Sequence, residues 1–124
     1  MKSLPINIYV VQEIFYFEYD NILPKIESGG LMTLNNTKYV LLEFSMLREP
    51  RNLSEAMYTM SVRGYTPIIA HVERYKWMTL DIMTELKSAK CLLQVNASSF
   101  SAIPYKKKCK KLLKKGFIDI IASD

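Results

Sequence analysis

Apolar residues in this chain fall into short, uninterrupted runs that are rich in β-branched side chains. The runs cover residues 7–14, 39–44, 66–70, 91–96 and 117–122. Their length and composition are typical of strands, and their lack of polar alternation indicates strands that are buried on both faces. The pattern therefore predicts a parallel sheet covered by other elements, and not an antiparallel sheet with one face in water.

Three segments between these runs have the spacing of amphipathic helices. They cover residues 52–64, 79–90 and 105–116. In the first, apolar residues recur three and four positions apart, Asn52 is the predicted side-chain cap, and Gly64 ends the helix. Thr79 or Asp81 is the predicted cap of the second. Strand and helix alternate about every 25 residues, which predicts one α/β domain, open or closed into a barrel, over residues 1–124.

The bulk composition excludes several classes of protein. No stretch of 18 apolar residues occurs, so no membrane-spanning segment is predicted. The two cysteines, Cys91 and Cys109, fit neither a disulfide framework nor a paired zinc motif, which favours a reducing cytoplasm. Neither cysteine is followed six positions later by an arginine, so the Cys-x5-Arg loop of cysteine-dependent phosphatases is absent.

The net charge of +5 has a local origin in the last predicted helix. Residues 106–115 contribute seven lysines, and the rest of the chain is slightly acidic. Tyr105, Cys109, Leu112 and Leu113 are the predicted apolar face of this helix, which makes a solvated lysine face the favoured interpretation. The alternative is docking to acidic protein, nucleic acid or anionic lipid. No aromatic residues interleave with the lysines to stack on bases, so we do not predict nucleic-acid binding.

Polar residues lie at or directly after the points where the predicted strands end. Four of them are good metal ligands: Glu13, Glu43, His71 and Asp124. In parallel α/β folds, ligands bind at the carboxyl edge of the sheet, where these side chains would meet. Carboxylates with imidazole suit manganese, iron or zinc better than calcium, and such a cluster can activate water and clamp a phosphoryl group. Arg74 could hold phosphate oxygens in a bidentate fork.

Each of these residues also has an ordinary structural interpretation. Glu43 could cap a neighbouring helix, and His71 could be a satisfied structural histidine. Glu73 and Arg74 could form a surface ion pair, and Asp124 could be a terminal residue with no special role. Only their joint placement at strand ends favours a site.

Four segments, in this order, resemble a known family. They are "LMTLNNTKYVLLEF", "RGYTPIIAHVERY", "LLQVNASSF" and "LLKKGFIDIIASD". Together they are similar to the bacterial metal-dependent tyrosine phosphatases of capsule and exopolysaccharide biosynthesis (the CpsB/CapC/YwqE type), in the polymerase-and-histidinol-phosphatase (PHP) superfamily. "AHVERY" resembles the family's "AHPERY", and "ASD" resembles the start of its "SDAH". The resemblance covers nearly the whole chain and is strongest over residues 31–75.

This resemblance implies a portion of a distorted (β/α)7 barrel, with parallel strands and outer helices. It also implies a divalent metal cluster at the strand ends, with manganese favoured and iron, zinc or magnesium as alternatives. Carried over by motif, Glu13, Glu43, His71 and Asp124 are the metal ligands, and His71 and Arg74 are the catalytic residues, Arg74 by binding phosphate. No other cofactor is implied.

The sequence also departs from the family pattern. The family's opening His-x-His motif and a further early histidine have no counterpart here, and its Ser-Asp-x-His motif stops at Asp124. Val72 replaces the usual proline. The resemblance therefore predicts one partial phosphatase domain, truncated at both ends, with an incomplete ligand set and weak or no activity of its own.

The implied function is hydrolysis of phosphotyrosine on a cytoplasmic protein, namely a bacterial tyrosine kinase of polysaccharide export. A second hypothesis is another phosphoesterase of the superfamily, of the histidinol-phosphatase type. A third is a non-catalytic remnant that binds partners through the face from Lys106 to Lys115. Glu73 is expected either to support the site from behind or to lie on the surface.

Overall fold

The described part of the chain forms a five-stranded parallel sheet in which the spatial order of the strands is their order in the sequence. The computed structural model describes residues 14–15 and 38–123. The strands are β1 (Ile14–Phe15), β2 (Tyr39–Glu43), β3 (Thr66–Ile69), β4 (Leu92–Asn96) and β5 (Ile120–Ala122). The helices are α1 (Leu53–Val62), α2 (Leu80–Ser88) and α3 (Lys106–Lys114), with 3₁₀ turns at Val72–Arg74 and Ala97–Phe100. The predicted parallel α/β class is confirmed.

The strand register aligns the carboxyl ends of the central strands. Leu42 of β2 lies level with Ile69 of β3, and Phe15 of β1 lies level with Glu43. The predicted first strand, residues 7–14, falls outside the described residues except for Ile14, and the strand there includes Phe15. The residues that follow β2, β3 and β4 therefore meet at one edge, where parallel α/β proteins bind ligands.

The main core lies between one face of the sheet and the three described helices. Its sheet side consists of alternate strand residues, and its helix side consists of methionine, leucine and cysteine side chains: Val40, Leu42, Ile69, Leu93, Val95, Met57, Met60, Met83, Leu86, Cys109 and Leu112. The other face of the sheet carries a smaller buried group, Leu41, Ile68 and Ala70. Burial on both faces explains why these strands are continuously apolar.

The helix ends test the capping predictions. Thr79 caps α2 as predicted, because its Oγ1 accepts a hydrogen bond of 3.2 Å from the Ile82 amide. The prediction for Asn52 was wrong, since its side chain makes no capping hydrogen bond within the described chain. Asn52 instead adopts a left-handed conformation with φ 52°, which asparagine tolerates better than most residues. Its role at the start of α1 is to turn the backbone.

The third helix buries a narrower stripe than its sequence predicted. Cys109 and Leu112 are fully buried, but Leu113 is 41% exposed, so its inward assignment was wrong. A helix of nine residues buries little more than one line of side chains, and Leu113 lies at its margin. Among the described residues, no helix is both long and apolar enough to cross a lipid bilayer.

Candidate metal and phosphate site

Two predicted ligands, Glu43 and His71, meet at the carboxyl edge of the sheet. Glu43 is the last residue of β2, and His71 follows β3 by two positions. The Nε2 atom of His71 lies 3.3 Å from Oε1 of Glu43. Both side chains are mostly buried, with 11% of His71 and 21% of Glu43 exposed. The structure thus brings together an imidazole and a carboxylate that lie 28 positions apart in the chain.

The backbone at His71 has an unusual conformation. Its φ of 35° and ψ of 57° lie in the left-handed region, which costs a residue with a side chain about 1–2 kcal/mol. Flanking hydrogen bonds hold this turn: the Ala70 amide donates to the Leu42 carbonyl over 2.9 Å, and the Arg74 amide donates to the His71 carbonyl over 3.0 Å. The chain therefore reverses directly after β3, and the imidazole returns to the edge beside Glu43.

An aromatic group supports the histidine. The Tyr75 ring lies 5.5 Å from the His71 ring and stacks on Trp77 at 4.9 Å. Phe44 packs edge-on against Tyr75 and Trp77. Tyr75 Oη accepts a hydrogen bond from the Phe44 amide, and Trp77 Nε1 donates to the Ser45 carbonyl over 2.7 Å. These contacts fix the segments after β2 and β3 to each other, which preorganises the pair of Glu43 and His71.

Glu73 is buried and connects the turn after β3 to the end of β4. Only 2% of this residue is exposed, and its Oε2 accepts a hydrogen bond of 3.1 Å from the Asn96 amide. Its Oε1 is buried with no hydrogen-bond partner among the residues that the structure describes. Of the alternatives for Glu73, the surface ion pair does not fit: Arg74 Nε lies 4.0 Å from Glu73 Oε2, but the Glu73 side chain is inside the protein.

Arg74 lies at the same edge, with its guanidinium over an aromatic ring. Its Cζ is 5.2 Å from the centroid of the Tyr105 ring, and one third of its side chain is exposed. Stacking of this kind holds a guanidinium in a fixed orientation at this edge. The sequence predicted Tyr105 as part of the apolar face of the last helix. It did not predict the contact with Arg74, because no local pattern indicates a contact between residues so far apart in the chain.

The two other predicted ligands, Glu13 and Asp124, lie outside the described residues and stay predictions. Within residues 14–15 and 38–123, no group of three or more histidine, cysteine, aspartate or glutamate side chains is placed to hold an ion. The described site therefore supplies two donors. Their separation fits a shared ion, since two metal–ligand bonds of about 2.1 Å would place the donor atoms roughly 3.0–3.4 Å apart.

The cysteines are unsuited to nucleophilic chemistry. Burial, and then the nearby Asp119 carboxylate, raise the pKa of the Cys91 thiol to about 12. Burial and the Glu73 carboxylate raise the pKa of the Cys109 thiol to about 11. Both thiols are protonated at neutral pH, in accord with the absence of the Cys-x5-Arg loop.

These raised pKa values predict a loss of stability in alkali. Both thiols have an ordinary pKa of 9.0, so the unfolded chain releases their protons before the folded chain does. The protonated thiols therefore contribute fully to the free energy of unfolding below about pH 9. This contribution falls as the pH rises toward 11 and 12, and the loss is about 1 kcal/mol per thiol by pH 10. Urea unfolding at pH 8 and pH 10 should show this fall, and the double variant Cys91→Ala/Cys109→Ala should show a smaller one. Equal falls in both proteins would contradict the assignment.

Together, the parallel sheet and the carboxylate–imidazole pair at its edge define an α/β protein with a candidate metal site at the strand ends. The family model described as capsular polysaccharide synthesis, CpsB/CapC, matches residues 1–124. The chain belongs to this family, which confirms the resemblance found in the sequence.

Similar proteins include named members of the family. CapC of Staphylococcus aureus is 37% identical over 101 residues, which are 80% of this chain and 39% of CapC. The tyrosine-protein phosphatase YwqE of Bacillus subtilis is 30% identical over 130 residues, covering 99% of this chain and 50% of YwqE. The chain thus spans half or less of the length of these relatives.

A solved structure shares the fold. It matches with a TM-score of 0.86 and 26% sequence identity, over 97% of this chain and 50% of the solved chain. It comes from crystal structures of YwqE from Bacillus subtilis and CpsB from Streptococcus pneumoniae, described as unique metal-dependent tyrosine phosphatases.

Proposed function

We propose that this chain carries part of the active site of a metal-dependent protein-tyrosine phosphatase that acts in capsule or exopolysaccharide synthesis. The observation that carries the proposal is the 3.3 Å approach of Glu43 and His71 at the carboxyl edge of the sheet. Two further findings support it. YwqE is named a tyrosine-protein phosphatase, and the solved structure is described as that of metal-dependent tyrosine phosphatases.

In this proposal Glu43 and His71 bind a divalent metal, and the predicted ligands Glu13 and Asp124 contribute further donors to an incomplete ligand set. The family resemblance favours manganese, with iron, zinc and magnesium as alternatives, and carboxylate with imidazole donors suits manganese, iron and zinc. When bound, the metal would act as a Lewis acid toward the phosphoryl group and would generate a nucleophile from water at neutral pH.

Arg74 and the residues around it would bind the phosphoryl group. The guanidinium is always charged, and its fork of N–H groups matches two phosphate oxygens. The Tyr105 ring at 5.2 Å orients it, and the buried Glu73 carboxylate holds the turn that carries both His71 and Arg74. These residues therefore fix the phosphate-binding guanidinium and the metal ligands relative to one another before any substrate binds.

The proposal extends to the surroundings of the site. The substrate would be a phosphotyrosine protein, namely a bacterial tyrosine kinase of polysaccharide export, and the compartment would be the cytoplasm. We also propose that the sheet forms part of a distorted (β/α)7 barrel. Support comes from the second face of the sheet, where Leu41, Ile68 and Ala70 are buried although the three described helices pack on the other face.

A substrate comparison with the purified chain tests the proposed reaction. We expect slow release of phosphate from a phosphotyrosine peptide and from p-nitrophenyl phosphate, stimulated by Mn²⁺, with much less from histidinol phosphate. The rate should be slow because the His-x-His motif and the further histidines of the family pattern have no counterpart in this sequence, which leaves the ligand set incomplete.

The control for this assay is His71→Asn, which removes the imidazole but retains a residue that tolerates the left-handed conformation. Its Mn²⁺-stimulated rate should fall to the background. A rate unaffected by this change, or a clear preference for histidinol phosphate, would count against the proposed phosphotyrosine phosphatase.

A further inference from the structure

Helix α3 carries a dense positive charge that does not serve its own stability. Six of the seven lysines in residues 106–115 are exposed, and the helix contains no acidic residue. Lys106, Lys107 and Lys108 form its first turn, where the helix dipole favours anions and disfavours cations. Tyr105, at the N-cap, makes no side-chain capping hydrogen bond with the described chain. A local arrangement that opposes helix stability is expected where function requires it.

This first turn lies beside the candidate site. α3 begins shortly after β4 ends at Asn96, so its start is at the carboxyl edge of the sheet. Tyr105, directly before Lys106, lies under the Arg74 guanidinium. Lys108 is half-buried, and the Glu73 carboxylate acts on it electrostatically. The positive charge of the helix is thus continuous with that of Arg74, and the exposed ammonium groups of Lys106 and Lys107 are its outer part.

We propose that Lys106 and Lys107 form a docking surface for an acidic peptide segment that flanks the phosphotyrosine of the substrate. The inference rests on the proposed function, because it places the phosphotyrosine itself at Arg74. Charge complementarity selects the occupant: a run of carboxylates or further phosphates matches cations that begin at the phosphate-binding edge. The docking segment would raise affinity and would select among phosphotyrosine sequences.

A membrane is a poorer match for this surface. The apolar stripe of α3, Cys109 and Leu112, is buried in the core, whereas a helix that binds lipid turns its apolar face toward the acyl chains. The exposed apolar residues of the region are separated, since Ile103 precedes the helix and Leu113 lies in its last turn. The surface therefore offers charge without a continuous apolar face.

The test uses a charge-matched pair of variants in the full 124-residue chain. One is Lys106→Gln/Lys107→Gln, in the first turn, and the other is Lys114→Gln/Lys115→Gln, at the far end of the same helix. The probes are two fluorescein-labelled phosphotyrosine peptides, flanked by four glutamates or by four glutamines. Fluorescence anisotropy without added metal gives the affinity of each protein for each peptide.

We expect the wild-type chain to prefer the glutamate-flanked peptide by roughly fivefold at low ionic strength. The first-turn variant should lose most of this preference, and the far-end variant should keep it within about twofold. The helix dipole separates this effect from unfolding: removing cations from the first turn should raise the melting temperature, whereas removing them from the last turn should lower it. A variant that binds less while being more stable has lost a contact and not its fold.

Three results would overturn the proposal. They are the absence of any preference in the wild-type chain, equal losses in the two variants, and first-turn-dependent binding to phosphatidylserine vesicles without a preference for the acidic peptide. Failure of the proposed phosphatase is a separate outcome. In that case the preference for glutamate flanks would persist in a chain that shows no Mn²⁺-stimulated release of phosphate.

Discussion

Replacing Glu43 by glutamine is expected to weaken Mn²⁺ binding by this chain at least roughly tenfold. Glutamine keeps the size of the side chain and one oxygen donor, but it removes the negative charge that lies 3.3 Å from His71 Nε2. His71→Asn should have an effect of similar size, because asparagine supports the left-handed turn without an imidazole. Electron paramagnetic resonance of free Mn²⁺ during a titration measures both affinities.

The matched control for this titration is Glu55→Gln. Glu55 is an exposed glutamate on α1, and its replacement removes the same charge away from the strand ends. We expect its Mn²⁺ affinity to equal that of the wild type. If Glu43→Gln and Glu55→Gln bind Mn²⁺ equally well, the carboxylate at the end of β2 is not a ligand.

Replacing Glu73 by alanine is expected to lower the free energy of unfolding by about 1–3 kcal/mol. The change leaves the buried Asn96 amide without the carboxylate oxygen that accepts its hydrogen bond at 3.1 Å. It also releases the turn that carries His71 and Arg74, so Mn²⁺ affinity should fall although Glu73 is not itself a proposed ligand. Urea unfolding measures the first effect and the Mn²⁺ titration the second.

Glu73→Gln separates the hydrogen bond from the charge. Its amide oxygen can still accept from Asn96, so this variant should regain much of the stability that alanine loses. Glu49→Ala, which truncates an exposed glutamate in the segment after β2, should leave the free energy of unfolding within about 0.5 kcal/mol of wild type. Equal stability of the alanine and glutamine variants would show that the contact with Asn96 does not hold the turn.

The sequence predicted the elements because each has a strong local signal. Continuous β-branched runs indicated burial on both faces of the sheet. The buried side of α1 was indicated by its apolar stripe, which is Leu53, Ala56, Met57 and Met60. The errors occurred at ends and margins. Whether Asn52 caps with its side chain or turns the backbone depends on how the preceding loop enters the helix, which a local pattern does not contain.

Part of the site was also predictable, because local sequence signals mark the residues at strand ends. Glu43 and His71 follow apolar runs, and the geometry of a parallel sheet brings such residues to one edge. The burial of Glu73 and the contact of Arg74 with Tyr105 depend on pairings between distant parts of the chain. Charged residues in a loop are usually exposed to solvent. The sequence pattern therefore predicted only that Glu73 supports the site from behind or lies on the surface.

The central claim is that Glu43 and His71 bind one divalent metal ion. Anomalous diffraction at the manganese absorption edge, from crystals of this chain soaked in Mn²⁺, tests it most directly. The account predicts a peak within about 2.0–2.3 Å of both a Glu43 carboxylate oxygen and a His71 ring nitrogen. A peak that avoids both side chains, or crystals with no anomalous peak at millimolar Mn²⁺, would contradict it.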